Sequence, residues 1–263
     1  MIAYPPGTPC WVDLSSTDVP ASQAFYSELF GWEVTERAPA DTDGGYWIFT
    51  LDGEDVAGLA SSQTPGQPPY WMTYVAVENA DDGAAKITAA GGSALFEPFT
   101  IMEDGRMGVF RDGADGAILS VWQPLSFAGA ASVNKVGAWS WSELDTRDVD
   151  GAAKFYGEAF GWAFTPIEVD GTMVYGSWTL DGRLIGGLLP IGPQFPAQVP
   201  ANWMVYFGVV DVEETRAKVE SLGGRALADP VDVPTGRFLP LMDPQGGAFA
   251  VLQTAEYDPP PGG

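Results

Sequence analysis

The segment FYSELFGW at residues 25–32 returns as FYGEAFGW at 155–162, 130 residues further along a chain of 263. When Trp11–Trp32 is set against Trp141–Trp162 without a gap, 10 of 22 positions are identical, among them Trp11/Trp141, Leu14/Leu144, Asp18/Asp148, Tyr26/Tyr156 and Gly31/Gly161. The match continues through TLDG at 50–53 and 179–182, WMTY at 71–74 against WMVY at 203–206, GR at 105–106 and 236–237, and a closing Gln123/Gln253. A repeat of this period must fold as two copies of one unit. The first copy is expected over residues 1–124 and the second over 137–255. A linker of small residues at 125–136 would join them, and a short tail would follow at 256–263.

Each copy has an inner rhythm. CWVDLSS alternates like a short strand, and Asp18 is placed to cap a helix that carries Pro20 in its first turn. Phe25 with Leu29, and Tyr26 with Phe30, stand four apart and give that helix one apolar face, which Gly31 ends. Three strand-like runs follow (WEVTER, YWIFTLDG, DVAGLASS). The order then restarts with YWMTYVAVE, a helix over about 81–90 stopped by Gly91-Gly92, and the strands SALFEPF, RMGVFRD and AILSVWQ. The fold class is therefore α+β, with four βαβββ modules, two to a domain. The pattern leaves open whether modules pair within a domain or across the two.

Composition narrows the function. Net charge is −23, with 12 basic residues against 35 acids spread over both halves, so a phosphate-neutralising surface for nucleic acid and attraction to anionic membranes are both disfavoured. The N-terminal stretch MIAYPPGTPCWVD lacks a basic start and an apolar signal core, and the single cysteine, Cys10, cannot form an intrachain disulfide. The expectation is a cytoplasmic protein, monomeric or homodimeric, whose partner is a small molecule.

The βαβββ rhythm, the W-x-[DE]-L opening, the repeated FYxExFGW and the domain endings DGADGAILSVWQ and DPQGGAFAVLQ resemble the vicinal oxygen chelate superfamily. That superfamily includes glyoxalase I, extradiol dioxygenases, methylmalonyl-CoA epimerase and the bleomycin and fosfomycin resistance proteins. The resemblance spans nearly the whole chain and is closest to the tandem, glyoxalase-like branch. It implies that paired modules curl into an open cup, with metal ligands (His, Glu or Gln) on the first and last strands of the modules. Asp13 and Glu143 match first-strand ligand positions. Met72 and Met204 stand where a histidine is common, and Ser120 and Ala250 where a glutamate is expected. With no histidine in the chain, the usual ligand set is missing. No cofactor is therefore expected; a divalent metal would have to be held by oxygen ligands alone.

What the resemblance leaves to line the cups is largely aromatic. Met72/Tyr74 and Met204/Tyr206 are expected to face them, with Trp122, Phe110 and Phe238 as further candidates. Arg106 and Arg237 would either orient an anionic or carbonyl ligand or form a strand-edge salt bridge. Asp13 and Glu143 would serve as acid–base groups or pair with those arginines. Two functions follow: a metal-free protein that binds a small hydrophobic or aromatic molecule, or a lyase, isomerase or dioxygenase-type enzyme working through Asp13 or Glu143.

Overall fold

The computed structural model describes residues 2–39, 44–62, 66–254 and 256, so most of the expected tail lies outside the described residues. The first domain runs β1 (Pro9–Ser16), α1 (Val19–Phe30), β2 (Glu33–Ala38), β3 (Tyr46–Leu51), β4 (Glu54–Ser61), β5 (Tyr70–Ala76), α2 (Ala80–Ala89), β6 (Ser93–Ile101), β7 (Gly105–Arg111) and β8 (Ile118–Pro124). The second runs β9 (Trp139–Thr146), α3 (Val149–Phe160), β10 (Ala163–Val169), β11 (Thr172–Leu180), β12 (Arg183–Pro190), β13 (Asn202–Gly208), α4 (Val212–Ser221), β14 (Arg225–Ala226), β15 (Val231–Val233), β16 (Gly236–Met242) and β17 (Ala248–Gln253). This is the strand–helix–three-strand order four times over, except that the last module breaks its second strand into the short pieces β14 and β15.

Each domain builds one curled mixed sheet. The strand orders are β2-β3-β4-β1-β5-β8-β7-β6 and β10-β11-β12-β9-β13-β17-β16-β14. Modules therefore pair within a domain, through antiparallel β1–β5 and β9–β13, with Asp13 opposite Met72 and Glu143 opposite Met204. In the first domain the sheet curls until Arg37 on β2, at one edge, forms an ion pair with Asp104 in the turn after β6, at the other edge.

The helices form where their caps dictate. Asp18 accepts from the Ala21 N–H at 3.1 Å and Asp148 from Gly151 at 2.9 Å. Gly31 and Gly161 close α1 and α3 at φ 74° and 76°, left-handed values that glycine adopts without strain.

Each helix packs against the other domain as well as its own. Phe30 of α1 lies 5.2 Å from Phe207 of β13, and Tyr26 lies 5.6 Å from Phe249 of β17 (ring centroids). Reciprocally, Phe155 of α3 shares a buried cluster with Ile87, Phe110 and Leu119 of the first domain. The polar contacts repeat the exchange. Tyr26 Oη donates to Asp243 at 2.9 Å and Tyr156 Oη to Asp112 at 3.1 Å; Trp32 Nε1 donates to the Gly137 carbonyl and Trp162 Nε1 to that of Gly7, each at 2.7 Å. The repeated octet and the repeated domain ending are thus the two halves of one contact: the tyrosine of the first meets the aspartate of the second across the domain boundary. Asp112 is readied for this by one oxygen that accepts the N–H groups of Ala114, Asp115 and Gly116, and Asp243 by one that accepts those of Gln245 and Gly247. Among the described residues, no helix is long and apolar enough to cross a membrane.

Candidate functional site: two cups with carboxylate floors

Strand alternation divides every sheet into a helix-facing side and a cup side. In β1 the helix-facing residues are Cys10, Val12 and Leu14, all fully buried, and the cup residues are Trp11 and Asp13. Burial raises the Cys10 thiol well above its ordinary range and holds it protonated, so it is unreactive. Across the β1–β5 pair, Met72 and Tyr74 share the cup with Asp13, while Trp71 faces the helices, its Nε1 donating to Tyr26 Oη at 3.1 Å.

Asp13 sits at the centre of the first cup. Tyr74 Oη donates to its Oδ2 at 2.7 Å and Tyr46 Oη to the same oxygen at 3.2 Å, and Trp11 Nε1 donates to Tyr46 Oη at 2.9 Å. Burial pushes the carboxyl up to about 6 in spite of the two tyrosine bonds, which pull it down. Tyr46 reaches over β4 because residue 58 is glycine. A Cβ there would lie 2.0 Å from Tyr46 Oη and 2.8 Å from Asp13 Cβ.

The second cup repeats the design with Glu143. Tyr206 Oη donates to Oε1 at 2.7 Å, Tyr175 bonds the same carboxyl, and Trp141 Nε1 donates to Tyr175 Oη at 3.0 Å. Gly187 plays the part of Gly58, with a Cβ there falling 1.8 Å from Tyr175 Oη. Burial again raises the glutamate. The second cup also holds another acid. Asp145, two residues on and on the same side, lies within hydrogen-bonding reach of Glu143 and takes a long bond of 3.4 Å from Asn202 Nδ2. Burial first, and the Glu143 charge second, drive Asp145 well above the usual carboxylate range.

The cups differ in closure. Over the first, linker residue Phe127 packs on Trp11 at 4.9 Å and on Trp122 at 6.0 Å, and Trp122 Nε1 donates to the Phe127 carbonyl at 2.8 Å. Trp11, Met72 and Trp122 are consequently buried, whereas their counterparts Trp141, Met204 and Leu252 in the second cup keep partial exposure. Phe238 lines the second cup 5.8 Å from Tyr206. A cavity of about 160 Å³ opens at the domain boundary among Pro9, Asn134, Trp139, Trp141 and Arg183.

Three expected lining residues lie elsewhere. Phe110 pairs with Leu119, is fully buried and faces the helices, because β7 presents Met107 and Val109 to the cup. Arg106 is on that same helix side and bonds Asp81 of α2 at 2.8 Å. Arg237 likewise bonds Glu213 of α4 at 3.2 Å and Asp232 at 3.3 Å. Neither arginine reaches a cup, and the partners of Asp13 and Glu143 are tyrosines instead. Tyr46 and Tyr175 were not among the expected residues, yet they align with each other four residues before the repeated TLDG.

Two curled βαβββ-pair sheets with a carboxylate at each centre define a class, and sequence comparison agrees. Residues 10–120 match the Glyoxalase/Bleomycin resistance protein/Dioxygenase superfamily and residues 141–252 match the Glyoxalase-like domain; the chain belongs to this superfamily. It is 38% identical over 256 residues to "Putative glyoxylase CFP32" of Mycobacterium tuberculosis, covering 96% of this chain and 97% of the relative. It is 34% identical over 273 residues to "Anthracycline biosynthesis protein DnrV" of Streptomyces peucetius, covering 98% of each. Among solved structures, the fold is shared with the Mn(II)-bound glyoxalase from Novosphingobium aromaticivorans (TM-score 0.65, 17% identity, 96% of this chain and 84% of that one). It is also shared with the 2,3-dioxygenase LapB from Pseudomonas sp. KL28 (TM-score 0.65, 14% identity, 96% and 94%).

The residues here do not fit a metal of the kind the first of those structures contains. The chain has no histidine, and among the described residues no three of its Asp, Glu and Cys side chains converge. Opposite Asp13 stands Met72, and Tyr74 pairs with Ser120, whose hydroxyl donates to the Gly108 carbonyl. Opposite Glu143 stands Met204, and Tyr206 pairs with Ala250. A first-row divalent ion needs three or more protein donors.

Proposed function

We propose that this protein binds a small, largely apolar or aromatic molecule in its cup, without a metal cofactor, and that the second cup receives it. The observation that carries this reading is the donor set: opposite the central carboxylates stand Met72 and Met204, and beside the cup tyrosines stand Ser120 and Ala250, so the first cup has one carboxylate and the second only Glu143 and Asp145. Such a surface stacks and encloses flat apolar groups. The partial exposure of Trp141, Met204, Tyr175 and Phe238 leaves that surface accessible in the second domain, while Phe127 occupies the mouth of the first. The name carried by the Streptomyces relative is consistent with a polycyclic aromatic molecule of the anthracycline kind.

A second reading is acid–base catalysis, favoured by the carboxyl of Asp13, held at about 6 beneath two tyrosine hydroxyls. A carboxyl in that range both gives and takes protons near neutrality.

The deciding experiment measures metal content of tag-free protein and its thermal midpoint before and after chelation, because an ion that prefers the folded state must raise that midpoint. The expected result is no stoichiometric metal and no shift. One tightly held metal per domain with a lowered midpoint after chelation overturns the proposal. Turnover that disappears in Asp13→Asn or Glu143→Gln would move the catalytic reading to first place.

A further inference from the structure

The two cups diverge at one pair of positions. Where the first has Ser15 opposite Tyr70, the second has Asp145 opposite Asn202. Asp145 is 7% exposed and faces the cup, and no N–H or O–H among the described residues donates to its Oδ1. A buried pair of carboxyls without such a donor must either hold a proton of its own or meet a donor that arrives from outside. We propose that the second cup binds the ammonium group of an apolar or aromatic amine, held between Glu143 and Asp145, and that the first cup does not. This rests on the binding reading above and names the ligand class.

The surroundings suit a cation. Trp141 on β9, Tyr175 on β11, Tyr206 on β13 and Phe238 on β16 line the cup around the pair, and aromatic side chains in a desolvated site favour a cation. An ammonium has three donors, enough for Asp145 Oδ1 and the Glu143 carboxyl together. The cation nearest in sequence, Arg147, is turned away, its guanidinium donating to the carbonyls of Val199 at 2.6 Å and Pro196 at 3.3 Å. The first cup has a lone Asp13 whose Oδ2 already takes two tyrosine hydroxyls.

Two carboxyls within hydrogen-bonding reach must share a proton, and raised proton affinity at Asp145 agrees with this. An incoming ammonium takes the place of that proton, which passes to the buffer. Amine affinity therefore rises with pH while the pair still holds the proton.

The test uses phenethylamine and phenethyl alcohol, which share a shape and differ in charge, titrated calorimetrically into the whole protein near pH 7.5 in two buffers of different ionisation heat. The expected result is at least about tenfold tighter binding of the amine, with proton release, and an Asp145→Asn variant that brings the amine to within about twofold of the alcohol. Equal binding of the two, or an amine preference that survives Asp145→Asn, overturns the inference and leaves the binding reading standing. Binding of neither overturns both. Proton release by the unaltered protein is read without any variant, so a poorly folded Asp145→Asn does not block the test. A midpoint raised by Ca²⁺ or Mg²⁺ with no response to the amine overturns the ammonium assignment in favour of a metal cation.

Discussion

Replacing Asp13 with asparagine removes one titrating group from the floor of the first cup and leaves its shape. The side chain keeps an oxygen for Tyr74 and Tyr46, 2.7 and 3.2 Å away in the native protein. The folded carboxyl stands at about 6 against an ordinary 3.8, chiefly because burial disfavours its charge. That difference corresponds to roughly 3 kcal/mol. The sign is fixed by which state holds the proton more tightly. Below about pH 4 both the folded and the unfolded chain are protonated at this site and its full contribution is present. As pH rises, the unfolded chain ionises first, and the contribution is lost by the time pH has passed through the folded value. Asparagine has no such dependence. Urea unfolding of both proteins, followed by tryptophan fluorescence from pH 4 to about 7.5, should show the stability of Asp13→Asn gaining on the native protein by roughly 2.5 kcal/mol across that range. Glu143, Asp145, Asp112 and Asp243, also raised by burial, act in the same direction in both proteins and cancel in the difference. Parallel curves, separated by a constant within about 0.5 kcal/mol, would refute the claim that burial controls this carboxyl.

Two further outcomes follow from the packing. Tyr26→Phe strands both Trp71 Nε1 and one oxygen of Asp243, and Tyr156→Phe does the same to Trp203 Nε1 and Asp112, so each should cost about 1–3 kcal/mol in denaturant unfolding. Both should also lower the midpoint of one cooperative transition rather than split it, because each tyrosine joins the two domains. Gly58→Ala forces Tyr46 off Asp13 and should cost about 1–3 kcal/mol by overpacking; a titration followed by carboxyl NMR should place Asp13 above its native value, since a bond that favours its ionised form is lost.

The modules and the helix caps were legible because each is written locally. Asp18 and Gly31 stand at the ends of α1, and the runs around Trp47, Met72 and Val121 became strands β3, β5 and β8. Alternation also separated Met72 and Tyr74 from Trp71 and Thr73. Arg106 and Arg237 form the salt bridges that were the alternative to ligand contact, and Phe110 faces the helices because the side a residue faces depends on its register with the neighbouring strand, which nothing local to β7 sets. Tyr46 and Tyr175 left a trace that repeat alignment alone recovers: both copies keep the tyrosine before TLDG and the glycine that makes room for it, Gly58 or Gly187. The exchange of helices left none. The apolar face of Phe25, Tyr26 and Leu29 says that α1 must be covered and is silent on which sheet covers it.

That exchange gives the chain the geometry of an isologous dimer held in one polypeptide. Tyr26 meets Asp243 and Tyr156 meets Asp112, the reciprocal pattern expected when one surface recognises a copy of itself. Two separate halves would have to find each other in solution, and their integrity would fall on dilution. Joined by the segment between β8 and β9, each half meets the other at a fixed effective concentration, so the contact survives at any level of expression. Joining also releases the halves from having to match: with the partner always present, one cup can be plugged by the joining segment itself through Phe127 while the other gains Asp145 and stays open.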